Sequence, residues 1–102
     1  MVSLHIEHAI RDYDTWRAAF ERDPAQRQKA GVRNYRVLRP AGDPKSILVE
    51  LDFDGAAEAE AFIAVMRRVW GEVALSPGLE RTGESANAPR TRILEQLQSG
   101  RY

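Results

Sequence analysis

The sequence predicts an α+β domain, a four-stranded antiparallel sheet backed on one face by two helices. Three observations predict it. Apolar residues alternate with a period of two in short runs near 2–8, 32–39, 46–53 and 91–97. Between them, two stretches carry apolar residues at helical spacing, and the order of the segments is β-α-β-β-α-β. Two right-handed crossovers about a central hairpin then give the split βαβ arrangement, with the first and third strands in the middle.

In the first strand Val2, Leu4 and Ile6 point one way, while Ser3, His5 and Glu7 point the other. Asp12 stands where a helix N-cap belongs, since its carboxylate can accept bonds from free amides of the first turn. Tyr13, Trp16 and Phe20 form the inward stripe of that helix. Asp23-Pro24 reads as a second cap, so the helix is predicted to break there, resume to about Ala30 and end at Gly31.

The second strand, Val32 to Arg39, sets Tyr35 and Val37 on one face and Asn34, Arg36 and Leu38 on the other. Pro40 to Pro44 is dense in turn formers. The third strand, Ser46 to Phe53, divides into Ile47, Val49, Leu51 and Phe53 against Leu48, Glu50 and Asp52. Asp54 is predicted to cap a long helix reaching about Val73, with Ala61, Phe62, Val65, Met66 and Val69 inward. Ser76 to Pro89 reads as an irregular loop, and Thr91 to Leu97 as the last strand.

Bulk properties narrow the function classes. A chain of 102 residues is one domain, spanning 1–102. Hydrophobic residues make up 43% and charged residues 29%, which argues for a folded globule rather than disorder. Fifteen basic residues balance fifteen acidic ones, and a nucleic-acid binder is expected to carry a basic surplus, so no nucleic-acid partner is expected. No cysteine is present, which removes disulfides, thiolate metal sites and cysteine nucleophiles. The N-terminal stretch lacks the basic and apolar regions of a signal peptide, and no stretch approaches membrane-spanning length. The expectation is a cytoplasmic protein without a membrane partner.

Two helices can cover only one side of this sheet. The other side would show His5, Glu7, Arg36, Leu38, Leu48, Glu50 and either Ile93 or Leu94. A face open to water tends to be polar throughout, whereas this one keeps large aliphatics among compensating charges. A second copy packed there by two-fold symmetry would bury the aliphatics and pair the charges, so a homodimer is expected. The plainer alternative is a scatter of exposed leucines, which is common.

The chain resembles the dimeric α/β-barrel superfamily, which includes antibiotic-biosynthesis-monooxygenase-like, cyclase-like and stress-responsive barrel proteins. The resemblance spans nearly the whole chain. It rests on Asp12-Tyr13-Asp14-Thr15-Trp16 through Phe20, on Gly31 through Arg39, on Val49 through Asp54, on Ser76-Pro77-Gly78-Leu79 and on Thr91 through Glu95. It implies a ferredoxin-like subunit that dimerises sheet to sheet into an α/β barrel, with a small-molecule cavity between helices and sheet. The activity it implies is a cofactor-independent monooxygenase-like or cyclase-like reaction on a small aromatic or enolic molecule. The alternative is a non-catalytic barrel dimer for ligand sequestration or protein association.

Candidate site residues follow from side-chain chemistry. His5 beside Glu50 and Arg36 is the candidate proton-transfer group, because histidine titrates near neutrality; a hydrogen-bonded interface histidine is the plainer reading. His5 and His8 lie three apart in a strand and point to opposite faces, so they cannot share a metal ion, and no metal site is expected. The haem-degrading members of the superfamily hold iron through a histidine further along the chain; none follows residue 8 here, and no cofactor is expected. Tyr35, Trp70, Phe62 and Trp16 are the candidate ligand-binding aromatics, with a simple core as the alternative. Trp70, just after Arg67 and Arg68, is placed to gate a basic-mouthed cavity suited to an anionic or phenolic substrate. No nucleophile elbow, Walker loop or dinucleotide fingerprint is present.

Overall fold

The computed structural model describes residues 1–74 and 89–102. The elements are β1 (Val2–Ala9), α1 (Tyr13–Glu21), β2 (Asn34–Leu38), β3 (Ser46–Phe53), α2 (Ala56–Ala74) and β4 (Arg90–Glu95). One sheet in the order β2-β3-β1-β4 contains all four strands, with every neighbouring pair antiparallel. The first and third strands are therefore central, as the alternation predicts, and the class is ferredoxin-like α+β.

Alternation decides which side of the sheet is dry. Val2, Leu4 and Ile6 of β1 and Ile47, Val49, Leu51 and Phe53 of β3 are all buried. Leu4 lies opposite Leu51, and Ile6 opposite Val49, so the two central strands present one continuous apolar surface. Phe62 packs on Phe53 with ring centroids 5.6 Å apart, and Ala59 and Ile63 join the same cluster. On β4, Ile93 pairs with Leu4 and takes the core side, which leaves Leu94 on the opposite face.

α1 begins as predicted. The Thr15 amide donates to Asp12 Oδ1 at 2.7 Å and the Thr15 hydroxyl donates to Oδ2 at 2.9 Å, so Asp12 caps the first turn. The predicted resumption after Asp23 does not form. Asp23 (φ 50°) and Gln26 (φ 53°) both adopt the left-handed conformation, which cannot propagate a right-handed helix. Asp23 Oδ1 instead accepts from the Arg27 amide at 2.9 Å, while Arg27 Nη1 donates back to the Phe20 carbonyl at 2.9 Å. Turns thus fold residues 22–31 against the end of α1. Gly31 (φ 103°) supplies the left-handed exit to β2 that its position predicts.

Two further expectations are corrected. Asp54 does not cap α2, which starts at Ala56 and so places Gly55 at the cap position; the Asp54 carboxylate instead meets Arg33, whose Nε and Nη2 donate to Oδ2 at 3.2 and 2.6 Å. The inward stripe of α2 is Ala59, Phe62, Ile63 and Met66, spaced i, i+3, i+4, i+7, whereas Ala61 and Val65 face solvent. Packing of Phe62 on Phe53 selects that stripe. β2 and β4 are also shorter than their apolar runs. The predicted loop from Ser76 lies outside the described residues up to residue 88.

The core yields a direct stability expectation. Leu4 is fully buried at the centre of the sheet. Leu4→Ala should destabilise by about 2–5 kcal/mol, through lost transfer energy plus an unfilled cavity. Val65→Ala, on the exposed side of α2, should change stability by less than about 1 kcal/mol. Chemical denaturation of both variants measures the contrast.

Candidate functional site

The chain assembles two groupings of side chains with chemistry to offer, one on each side of the sheet. On the helix side, Tyr13, Trp16, Phe20 and Tyr35 form a continuous aromatic row. Successive centroids are 6.0, 4.8 and 5.4 Å apart, with Trp16 and Phe20 stacked. Helical spacing brings the first three together on α1, and Tyr35 reaches them from the helix side of β2. Guanidinium groups attend both ends. Arg27 lies 3.7 Å over the Phe20 ring and 5.6 Å from that of Tyr35, and Arg39 lies 5.6 Å from the Tyr13 ring.

The row is incompletely covered. No residue of α1 is buried, Tyr13 is 36% exposed and Tyr35 is 57% exposed. Beside it an open groove of about 410 Å³ runs between the 22–31 turns and β2, lined by Asp23, Arg27, Gly31, Val32, Arg33 and Tyr35 among others. An ion pair of 3.2 Å between Arg27 and Asp23 holds the guanidinium at the groove edge.

The other face carries a charged row in register across all four strands. Arg36 of β2 lies opposite Glu50 of β3, Glu50 opposite His5 of β1, and His5 opposite Arg92 of β4. His5 Nε2 stands 3.1 Å from Glu50 Oε2, and Arg36 donates from Nε and Nη2 to Glu50 Oε1. Only 13% of the Glu50 side chain is exposed, so its neighbours supply most of its solvation. Leu38, Leu48 and Leu94 lie on this same face.

The structure therefore brings His5, Glu50 and Arg36 together, and it joins Trp16 to Tyr35. It does not bring Phe62 or Trp70 into the row. Phe62 is buried on Phe53, while Trp70 falls on the inward stripe of α2, half-buried against the core. Two participants were missed in the sequence, Arg27 and Arg92. The Asp23–Arg27 spacing of four was a signal for the first, and the alternation of Arg90-Thr91-Arg92-Ile93 for the second. Among the described residues no three His, Asp or Glu side chains converge on a point that could hold a metal ion.

Solved structures with this architecture extend the comparison. A point mutant of SnoaB, described as a cofactor-independent oxygenase from Streptomyces nogalater, superposes with a TM-score of 0.67 at 12% identity, over 96% of this chain and 94% of that one. A dimeric ferredoxin-like protein from an uncultured marine organism gives 0.62 at 11% identity, over 96% and 97%. The shared fold is ferredoxin-like α+β. A point mutant of MhuD carrying two manganese protoporphyrins per active site gives 0.55 at 12% identity, over 97% of both chains. One fold thus hosts an oxygenase described as cofactor-independent and a porphyrin-binding protein, so function must be argued from side chains. No protein-family model matches the sequence, and no curated protein matches it.

The two histidines lie on opposite faces of the sheet. His8 lies on the helix side, and burial holds its pKa below the usual 6.5, partly offset by its ring contact with the Ala9 carbonyl at 3.2 Å. On acidification the unfolded chain binds a proton at this site before the folded chain does. The contribution to stability is therefore fully present above about pH 6.5 and is lost as pH falls from there through the lowered folded value. Unfolding free energies measured from about pH 7.5 to about pH 5 should fall less steeply for His8→Gln than for the parent. Parallel profiles would show that His8 is not the group responsible.

Proposed function

We propose that this chain acts as a homodimer that binds a small, flat aromatic or enolic molecule beside α1, as a cofactor-independent oxygenase-like or cyclase-like protein. The observation that carries the reading is the half-open aromatic row. A helix whose inward face holds Tyr13, Trp16 and Phe20 yet buries none of them leaves apolar surface for a guest. A planar ligand there would lie against ring faces and edges, and a phenolate or enolate oxygen would meet the guanidinium of Arg27 or Arg39. Such an anion is electron-rich enough to react with dioxygen, or to cyclise, once positioned away from bulk water. The description of SnoaB as cofactor-independent supports this reading by analogy of fold.

The second sheet face supports the dimer. Leu38 is 40% exposed and Leu94 is 37% exposed, beside the half-buried Leu48. Around them stand three cations (Arg36, Arg90, Arg92) and three anions (Glu7, Glu50, Asp52), so the face is formally neutral. Such a face can meet its own copy with little net repulsion.

Two measurements test these claims separately. Light scattering at micromolar concentration should give twice the chain mass for the parent. Leu48→Asp should give a monomer or aggregate, because an unpaired carboxylate would be buried against the partner at a cost of several kcal/mol. A monomeric parent would refute the dimer.

For the site, titration with polycyclic phenols and quinones should quench tryptophan emission saturably for at least one compound and raise the melting temperature. Trp16→Phe should remove most of the quenching, and Trp70→Phe should leave most of it. A panel in which nothing saturates would count against the site.

A further inference from the structure

The charged row has a composition that makes covering the face sensitive to protons. His5 is the only histidine in it, and histidine is the side-chain type that changes charge near neutrality. It is faced by Glu50 from β3 and Arg92 from β4, flanked along β1 by Ser3 and Glu7, and linked through Glu50 to Arg36 of β2. With His5 neutral, the face balances three guanidinium groups against three carboxylates. With His5 protonated, each copy presents one uncompensated positive charge to the other.

Glu50 Oε2 stands 3.1 Å from His5 Nε2 while Arg36, a full cation, holds Oε1, so a single carboxylate is shared between two cations when His5 is protonated. Arg92, directly across β4, adds repulsion of the same sign. In the separated chains water screens the excess; between two packed sheets it does not.

We infer that His5, set between Glu50 and Arg92 on the uncovered sheet face, makes association of two copies of this chain weaken as pH falls through the histidine range. The inference rests on the homodimer proposed above and adds its regulation. The two histidines separate the readouts, because His5 lies on the face that would be covered and His8 on the helix side.

The experiment is a set of dimer dissociation constants, measured by analytical ultracentrifugation from about pH 8 to about pH 5.5, a window in which exposed carboxylates stay ionised. If protons are excluded from His5 in the dimer, two sites per dimer should weaken association by about tenfold or more across the window. His5→Gln should associate at about pH 8 much as the parent does and show a flat profile. His8→Gln should keep the parent's slope.

Arg92→Gln, at an exposed position that leaves the core intact, should reduce the acid effect and serves as the second variant should His5→Gln fold poorly. A parent whose dissociation constant is constant or falls with acid overturns the inference, as does flattening by His8→Gln instead of His5→Gln. A parent that is monomeric at about pH 8 overturns the dimer itself, and this inference with it.

Discussion

Eight residues of β1 pair with eight of β3, and the register of that pairing decides both faces of the molecule. It sets Leu4 against Leu51 on one side and His5 against Glu50 on the other. Because side chains alternate with a period of two, a slip by one residue would carry Leu4 into solvent and His5 into the core. The cost of burying His5 and Glu50 beneath α2 therefore protects the same register that burial of Leu4, Leu51 and Phe53 favours. Everything described above, from the packing of Phe62 to the charged row, inherits its geometry from this pair of strands.

The two helices relate to that sheet differently. α2 delivers Ala59, Phe62 and Ile63 into the core and behaves as a structural half of the domain. α1 lays aromatic rings over the sheet's side without burying one, and it is held by polar ties at both ends. At its start Thr15 locks onto Asp12, which keeps the Asp12 carboxyl below the usual carboxylate range. At its end Arg27 reaches back to the Phe20 carbonyl. The ends of the helix are thus tied while its aromatic middle stays partly uncovered.

Period-two alternation made the strands, their order and the sheet's two faces legible, because burial on one side of a strand is a strong selector. The Asp12 cap was readable for a local reason, a carboxylate three residues from a matching donor. Asp54 looked the same, but α2 starts one residue later than a cap there requires, and the carboxylate's partner, Arg33, lies 21 positions away and becomes a neighbour only once β2 and β3 pair.

The 22–31 turns escaped prediction for a similar reason. Asp23-Pro24 resembles a helix start, but Asp23 donates its amide to the Phe20 carbonyl of α1 and accepts from the Arg27 amide, and Asp23 and Gln26 take a left-handed conformation the sequence does not advertise. The candidate site split along the same line. His5, Glu50 and Arg36 could be grouped from strand parity, whereas which aromatics share a row depends on tertiary packing that spacing along a helix does not show.

Both edges of the sheet remain unpaired among the described residues, and both carry the same sign of charge. β2 displays Arg36 between Arg33 and Arg39, and β4 begins Arg90-Thr91-Arg92. Two copies approaching edge to edge would bring guanidinium groups together, a device that blunts strand addition. Edge addition is open-ended and leads to fibres, whereas pairing through a single face is complete after two chains. The arginines at its margins thus disfavour open-ended addition of strands to either edge of this small sheet.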